Sequence, residues 1–446
     1  MKIQLPEHVK QIIQRLEKEG YEAYAVGGCV RDALLGRTPQ DWDITTSACP
    51  QAVKKLFSHT IDTGIQHGTV TVMLNHQGYE VTTYRIDGEY QDGRHPDSVT
   101  FTRELVEDLK RRDFTINAMA YNEAEGLVDA FGGIRDLKSG VIRCVGNPND
   151  RFGEDALRML RAVRFAAQLG FEIDEETKAA VAALAPSIAK ISAERIRMEL
   201  VKLLVSEHPD MLGTAYELGL TKVFLPEFDR MMETEQNSEH HCYTVGEHTL
   251  HTLMEVMPEK HLRLTMLFHD VAKPLCKTTD ENGQDHFKGH PKKGEELAGE
   301  ILRRLKFDNA TRERVCRLVR YHDDRPELTP RNIRRAISRI GVDNMPDLFE
   351  IKRADTLAQS MHDREKKLQY IMDYEKLYHE ILEQEQCLQK KDLALGGRDL
   401  IDMGMKPGKE IGVMLEKLFE LVLEEPELNT KERLSELAHK LDSRLI

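Results

Sequence analysis

The segment YAVGGCVRDALLGRTPQDWDI, Tyr24 to Ile44, reads as an apolar strand that breaks at Gly27-Gly28, a short helix ended by Gly36, and a second strand, DWDIT. Alternation along an extended strand puts Asp41 and Asp43 on one side and Trp42, the only tryptophan of the chain, on the opposite and buried side. Two carboxylates one strand repeat apart can share divalent cations, and Mg²⁺ favours a few carboxylate oxygens together with substrate phosphates. A D-x-D that caps a turn or lies on a solvated strand face is the alternative for the pair taken alone. The glycine turn leads into a helix, where backbone N–H groups favour a phosphate and Arg31, one turn in, can pair with it. An ordinary strand-to-helix turn has the same pattern. No G-x-x-x-x-G-K-[ST] motif occurs, so the turn is not a P-loop.

Outward from this segment, the region up to about residue 140 mixes helix and strand. The opening stretch is an amphipathic helix and PQAVKKLF (50–57) is another. The Val- and Thr-rich runs HGTVTVMLN and YEVTTYR pair as a hairpin through NHQG, which starts at Asn75. Glu80, at the start of YEVTTYR, supplies a third carboxylate if that strand lies beside DWD; otherwise it is a surface glutamate on an edge strand. From about residue 141 the strands stop. GEDALRMLRAVRFAAQLG is one helix ending at Gly170, EETKAAVAALA a second, and SAERIRMELVKLLVS a third with Ser192 as N-cap. A histidine-rich helical stretch covers 225–365, and 366–446 is helical again around the loop GMKPGKEIG.

A length of 446 residues suits roughly three domains of ~150 residues. The formal charge of −13 speaks against a protein that wraps nucleic acid over its whole surface, yet local clusters of Lys and Arg can still meet phosphate. Seven scattered cysteines without a C-x-x-C pair indicate neither a disulfide framework nor a thiolate zinc site, and read as reduced, mostly buried thiols. With no signal-peptide core and no run of about eighteen apolar residues, the expectation is a cytoplasmic protein with no membrane segment and no evident protein partner.

Two further patterns carry chemistry. Asp155, Arg158, Arg161 and Arg164 recur every third residue and form a band along one side of the predicted helix. A carboxylate acceptor beside a guanidinium donor matches the donor-acceptor edge of cytosine or adenine, which leaves the remaining arginines to face triphosphate. A ladder of salt bridges is the competing reading. Further on, His248, His269-Asp270, His290, His322 and Asp355 follow one another inside or at the ends of helical segments. Neutral imidazoles and carboxylates bind first-row divalent metals, and a pair of ions bridged by one aspartate can activate water for phosphoester hydrolysis.

GGCVRD, DWD, RRDFTINAMAY (111–121), DAFGGIRDLKSGVIRCVGNP (129–148) and RFGEDALRMLRAVRFAAQLGF (151–171), in that order, resemble the successive motifs of the class II tRNA nucleotidyltransferases, the CCA-adding enzymes and their bacterial poly(A) polymerase relatives. The resemblance implies an α+β fold: a polymerase-β-like catalytic head with a mixed sheet (1–140), an all-helical neck for base recognition and RNA binding (141–224), and a helical tail with tRNA contacts (366–446). It implies template-independent CCA addition to tRNA from CTP and ATP with Mg²⁺. Asp41 and Asp43 match the metal-binding aspartates; Gly28 and Arg31 the triphosphate positions; Arg112 an arginine at the nucleotide; Asp113 a residue reading the ribose; Asp155 and Arg158 the base-reading pair. The histidine order is similar to that of HD-domain phosphohydrolases, which places a helical HD domain at 225–365. There His248, His269, Asp270 and Asp355 match one metal's ligands, and His290 and His322 match the extra histidines of two-metal sites. Mn, Ni, Co or Fe would suit that centre, with RNA ends or nucleotides as substrates, or the domain is a scaffold that no longer hydrolyses. Poly(A) or A-only addition is the nearest rival function. The full-length segment 85–113 speaks against an enzyme that stops after CC. A non-catalytic RNA-binding N-terminal module beside a true hydrolase is a further alternative. Arg195, Arg197, Lys202 and the cluster LKRRD (109–113) are expected on the acceptor stem.

Overall fold

The computed structural model describes residues 2–88, 98–237, 243–384 and 387–442. The chain forms two compact units, Met1–Asp229 and Arg230–Ile446. Residues 89–97, part of the segment read as full length, and Cys242 lie outside the described residues. The other six cysteines are free: Cys29, Cys144 and Cys387 are buried, Cys276 and Cys316 half-buried, and Cys49 is exposed.

The first unit opens with α1 (Glu7–Lys18), whose Val9, Ile12, Ile13 and Leu16 make one apolar stripe at helical spacing. Next come β1 (Ala23–Val26), α2 (Gly28–Leu34), β2 (Ile44–Thr46), α3 (Pro50–Leu56), β3 (Thr60–Gly64), β4 (Thr69–Leu74) and β5 (Gln77–Thr83). A ribbon of β6 (Arg85–Asp87) and β7 (Val99–Phe101) leads to α4 (Leu105–Lys110), β8 (Met119–Asn122), β9 (Gly126–Asp129) and α5 (Gly133–Ser139). The mixed sheet has the order β3-β4-β5-β2-β1-β8-β9, and β2 runs parallel to β5. All four residues of β1 are buried, as a central strand covered on both faces requires. The hairpin between β4 and β5 turns on only two residues, Asn75 and His76, both at positive φ, with Leu74 opposite Gln77.

The deciding segment departs from its reading in one respect. DWD is not strand but the extended lead-in to β2, tied to β1 by the Val26 N–H donating to the Asp43 carbonyl at 3.0 Å. Trp42 is only half-buried, because it precedes the ladder rather than facing the sheet core. Gly27 has φ +85°, and a Cβ there would stand 2.9 Å from Arg112 Nη1. Gly27→Ala is therefore expected to cost about 1–3 kcal/mol in urea unfolding, since a strained backbone and a displaced guanidinium act together. A variant as stable as wild type would show that this turn tolerates a side chain.

Beyond residue 140 the described part of the first unit is helical apart from two short strands. β10 (Val141–Ile142) pairs in parallel with β11 (Glu172–Ile173), and between them lie α6 (Pro148–Glu154) and α7 (Leu157–Leu169). The predicted single helix 153–170 breaks at Asp155, which is extended (φ −143°, ψ 103°), so Asp155 stands outside the helical arginine band. Its carboxylate instead accepts from the Leu157 N–H at 3.1 Å. The unit continues through α8 (Glu175–Leu184), α9 (Ala193–Leu204), α10 (Leu212–Glu217) and α11 (Thr221–Phe224), and α12 (Pro226–Met232) spans the unit boundary. Ser192 stands at the α9 N-cap without a side-chain cap bond.

The second unit holds α13 (Val245–Glu255), α14 (Lys260–Phe268), α15 (Lys273–Cys276), a small hairpin of β12 (Thr278–Thr279) and β13 (Asp285–His286), α16 (His290–Arg304), α17 (Asn309–Tyr321), α18 (Pro330–Ile340), α19 (Met345–Ala358) and α20 (Arg364–Glu383). α21 (Gly397–Asp402), α22 (Lys409–Glu424) and α23 (Lys431–Leu441) close the chain. KEIG of the predicted glycine loop is the first turn of α22, which leaves only 404–408 irregular. Arg334 on α18 donates to the Leu423 and Glu424 carbonyls at 2.8 Å each, supplying donors to the C-terminal end of α22 that the helix itself lacks. Among the described residues no helix is long and apolar enough to cross a membrane.

Candidate active site and histidine centre

In the first unit a cleft of about 790 Å³ is lined by Gly28, Arg31, Asp41, Asp43, Arg164 and Lys202, among others. The parallel register that sets Ile44 beside Val81 carries Asp43 alongside Glu80 one residue earlier. Asp43 keeps solvent access, yet the protein packed around it raises its carboxyl above the ordinary range; Arg112 opposes the shift and Asp41 adds to it. Glu80 is raised too, by burial first and then by Asp43 and Asp41. Three carboxylates that repel one another, with Arg112 the counter-charge at Asp43, form a donor set with a deficit of positive charge, and this fits a divalent cation.

Arg31 is buried and held on both sides, by Asp32 at 2.8 Å and by Asn117 Oδ1 at 2.7 Å. The guanidiniums of Arg164, Arg31 and Arg161 gather around the Phe165 ring at 3.5, 5.0 and 5.3 Å from its centroid. Arg164 is anchored by Glu199 of α9 at 2.7 Å. Arg112 lies against the Gly27 turn, and its buried Nε has no hydrogen-bond partner among the described residues.

Asp113, expected at the ribose, is turned inward. Its Oδ2 accepts two N–H groups of Arg161 at 2.8 and 2.6 Å, while Oδ1 accepts from the Phe114 N–H at 2.9 Å and Asn117 Nδ2 at 3.2 Å. Burial works upward on this carboxyl, but Arg161 and Arg158 outweigh it and hold it far below the usual range. Four donors fill the lone-pair positions of a carboxylate, and two of them come from Arg161. Among the described residues the side chains of Asp155 and Arg158 do not pair with each other; the Arg158 N–H donates to the Asp155 carbonyl at 3.0 Å. Asp155 takes a bidentate grip from Arg195 at 2.7 and 3.2 Å, and Arg158 binds Glu154 together with the Arg151 and Arg111 carbonyls. Arg195 is thus paired within the chain, and so are Arg111 and Arg112 of LKRRD, which turn toward Asp108.

The second unit brings all six predicted histidine-region residues together. His248, His269 and Asp270 form one group of ligand atoms within 4.8 Å of one another; Asp270, His290 and His322 form another. Asp270 joins them, with Oδ2 3.2 Å from His269 Nε2 and Oδ1 3.4 Å from His290 Nε2 and 3.7 Å from His322 Nε2. Asp355 Oδ1 lies 2.9 Å from His248 Nε2. The helices set the ring orientation. His269, His290 and His322 each place Nδ1 2.7–2.8 Å from a carbonyl three residues back, and a carbonyl only accepts, so those Nδ1 atoms carry the protons. Their Nε2 atoms then point inward, and those of His290 and His322 stand 3.2 Å apart. Burial, with His269 and His290 adding to it, pushes His322 down to about 4, so its ring is neutral at pH 7. Two inward lone pairs at this distance repel until a cation or proton intervenes, so the donor set fits one or two first-row divalent ions. For Asp270, burial acts upward, yet His269 and Lys273 hold its carboxyl far below the ordinary range.

Comparison with known proteins decides the family. Residues 23–143 match the poly(A) polymerase head domain, 170–232 the RNA- and SrmB-binding site of polymerase A, and 292–438 the tRNA nucleotidyltransferase domain 2 family. The CCA-adding enzyme of Lactobacillus helveticus is 36% identical over 97% of this chain and 96% of its own length. The chain belongs to the CCA-adding enzyme family. A CCA-adding enzyme of Leuconostoc mesenteroides is 56% identical over 46% of the chain and 52% of its own length. The crystal structure of the Bacillus stearothermophilus CCA-adding enzyme in complex with CTP superposes with a TM-score of 0.72 at 30% identity, covering 97% of this chain and 96% of that one. The Thermotoga maritima CCA-adding enzyme complexed with tRNA shares the fold, with a TM-score of 0.58 at 21% identity over 99% of this chain and all of that one.

In this CCA-adding family member several residues that hold the cleft's side chains were not singled out from the sequence. Asn117 links Arg31 to Asp113, and its signal was available inside RRDFTINA. Phe165 lay inside the motif RFGEDALRMLRAVRFAAQLGF as the ring its arginines gather around, while Glu199 carries no local motif, because it meets Arg164 only through the packing of α9 on α7; Arg195, expected on the acceptor stem, instead grips Asp155. In the second unit Lys273, three residues after Asp270, sits 2.7 Å from Asp270 Oδ2 and 2.8 Å from Gln236 Oε1. The motif FHDVAKP contained it.

Proposed function

We propose that the chain adds C, C and A in order to tRNA 3′ ends from CTP and ATP, with Asp41, Asp43 and Glu80 as the set that holds divalent cations, Mg²⁺ by preference for carboxylate oxygens. The observation that carries this reading is the shared cleft, in which Asp41 and Asp43 face the Gly28 turn, Arg31 and Arg164. Cations held there would supply positive charge beside the attacking 3′ oxygen and the departing pyrophosphate. Arg31 and Arg164, fixed by Asn117 and Glu199, hold the triphosphate, and the buried Arg112 Nε offers a further donor. The base is chosen by Asp155 and Arg158, whose polar edges are set by Arg195 and Glu154. The division at 140, 224 and 365 into head, neck, hydrolase and tail belongs to the same proposal. The test supplies tRNA ending at the discriminator base, at C, or at CC, with CTP, ATP or both. Ordered addition that stops at CCA supports the reading, while open-ended A addition independent of the RNA end would replace it with poly(A) synthesis.

Base selection gives a sharper check. Arg195→Ala removes both bonds that fix Asp155, and a well-placed bidentate pair contributes ~1–3 kcal/mol of discrimination, so preference for CTP over UTP is expected to fall about tenfold or more. The ratio of kcat/KM values measures it; an unchanged ratio would take base reading away from Asp155.

A second reading rests on the histidine centre: a metal-dependent phosphohydrolase in the same chain, with His248, His269, Asp270 and Asp355 holding one cation and Asp270, His290 and His322 another. Such cations supply Lewis acidity toward a phosphoryl oxygen and acidify water. Asp270→Ala is expected to abolish hydrolysis of phosphoesters and to lower bound Mn²⁺ measured by mass spectrometry, with CCA addition retained. Full metal content in the variant would remove Asp270 from the ligand set.

A further inference from the structure

The space above the histidine centre is divided. One cavity of about 420 Å³ and another of about 360 Å³ adjoin, and each is of a size that takes a small organic group. Both are lined by His322, Asp355, Arg325 and Lys367. These four residues, two from the histidine centre and two cations, form the waist where the lobes meet. Phe287 lines the first lobe only; Tyr370 and Ile371 line the second only.

The cations at the waist are placed by the centre itself. Gln359 donates to Asp355 Oδ2 at 3.0 Å and accepts from Lys367 Nζ at 2.7 Å, so one buried amide spans from a predicted metal ligand to the ammonium. Arg325 pairs with Asp323 at 3.3 Å, and both side chains are about half exposed, so the pair is weak and the guanidinium can be redirected to a ligand. An ammonium and a guanidinium that flank a histidine-carboxylate centre suit an anionic phosphoryl group.

We propose that this centre binds and hydrolyses a phosphodiester with a nucleoside on each side, its phosphate at the waist between Arg325 and Lys367 and one nucleoside in each lobe. This rests on the phosphohydrolase reading above. A phosphomonoester with a single substituent would fill one lobe and leave the other to solvent, whereas a diester uses both, with aromatic surface available in each. In the reaction a water oxygen forms a bond to phosphorus, the bond from phosphorus to one ribose oxygen breaks, and that oxygen takes the proton. The products are one phosphomonoester and one alcohol, and no oxidant or reductant is consumed.

The full chain loaded with Mn²⁺ is the material for the test. The hydrolysis probes are bis(p-nitrophenyl) phosphate against p-nitrophenyl phosphate, and the linear dinucleotide ApA against a 3′-labelled RNA, which separates a free dinucleotide from an RNA terminus as the source of the diester. The expected result is a kcat/KM at least tenfold higher for diester than for monoester. Binding of a methylenephosphonate analogue of ApA, followed by calorimetry with and without Mn²⁺, is expected to weaken at least tenfold in both Arg325→Ala and Lys367→Ala, with the Mn²⁺ content of both variants unchanged. Monoester turnover without diester turnover, or analogue binding equal in wild type and both variants, would overturn the diester assignment and leave the hydrolase reading standing. Failure of the wild-type chain to retain Mn²⁺ would instead bring down the hydrolase reading itself.

Discussion

Exchange of Asp43 for asparagine is expected to slow CCA addition about a thousandfold while the fold survives. The amide keeps the size of the side chain, and the backbone bond from Val26 to the Asp43 carbonyl does not depend on it. What is lost is one of three neighbouring negative groups, two of which line the cleft, and with it the affinity for a divalent cation. The cation's stabilisation of the transition state amounts to several kcal/mol, and at 1.36 kcal/mol per decade about 4 kcal/mol corresponds to three orders of magnitude. Single-turnover incorporation of labelled CTP into tRNA lacking CCA, beside far-UV circular dichroism, measures both halves of the expectation. Glu80→Gln is expected to cost less, because Glu80 reaches the pair from the neighbouring strand β5. Activity of Asp43→Asn within tenfold of wild type would dissociate these aspartates from the chemistry.

The sequence was most informative where chemistry and local structure share a short segment. GGCVRD and DWD lie within twenty residues, and the fold brings their glycine turn, arginine and carboxylates to one cleft without long-range help. The histidine centre was legible for a different reason: His248 sits one turn into a helix and the other three rings at helix ends, where a carbonyl three residues back fixes each of those three, so order along the chain translated into convergence in space. Failures follow the same logic. Asp155 was read into a continuous helix because Glu154 and Leu157 both favour one, and nothing in EDALR announces the extended residue between them. The carboxylate of Asp155 makes the break favourable by accepting from Leu157, and Arg195, forty residues on, fixes the result. Trp42 was assigned to a strand face by alternation, a rule that holds only inside a ladder, and the ladder starts at Ile44. Asp113 illustrates a third limit. Motif position relates it to the nucleotide, but only the packed structure shows that Arg161, Asn117 and the Phe114 N–H occupy its carboxylate.

That occupancy leads to the second large effect, on stability rather than on rate. Asp113→Asn leaves Arg161 without its carboxylate partner in a site where the aspartate is almost fully buried. Removing one member of a buried ion pair typically costs 3–5 kcal/mol, and the low end applies because Arg161 keeps about a third of its side chain in solvent and retains Glu199 at 3.8 Å. A loss of about 3 kcal/mol in a unit of this size lowers its unfolding midpoint by roughly 6–12 °C. The effect carries a pH signature. In the folded chain Asp113 is held below the usual carboxylate range, so it stays ionised there while the unfolded chain takes up a proton near pH ~3.9. Its stabilisation is therefore complete above about pH 5 and is lost as pH falls toward the folded value. The gap in unfolding free energy between wild type and Asp113→Asn should be widest at pH 7 and should narrow steadily between about pH 5 and pH 3 in urea titrations. A gap that is constant across that range would mean that size and hydrogen bonding, rather than the charge of Asp113, hold Arg161 in place.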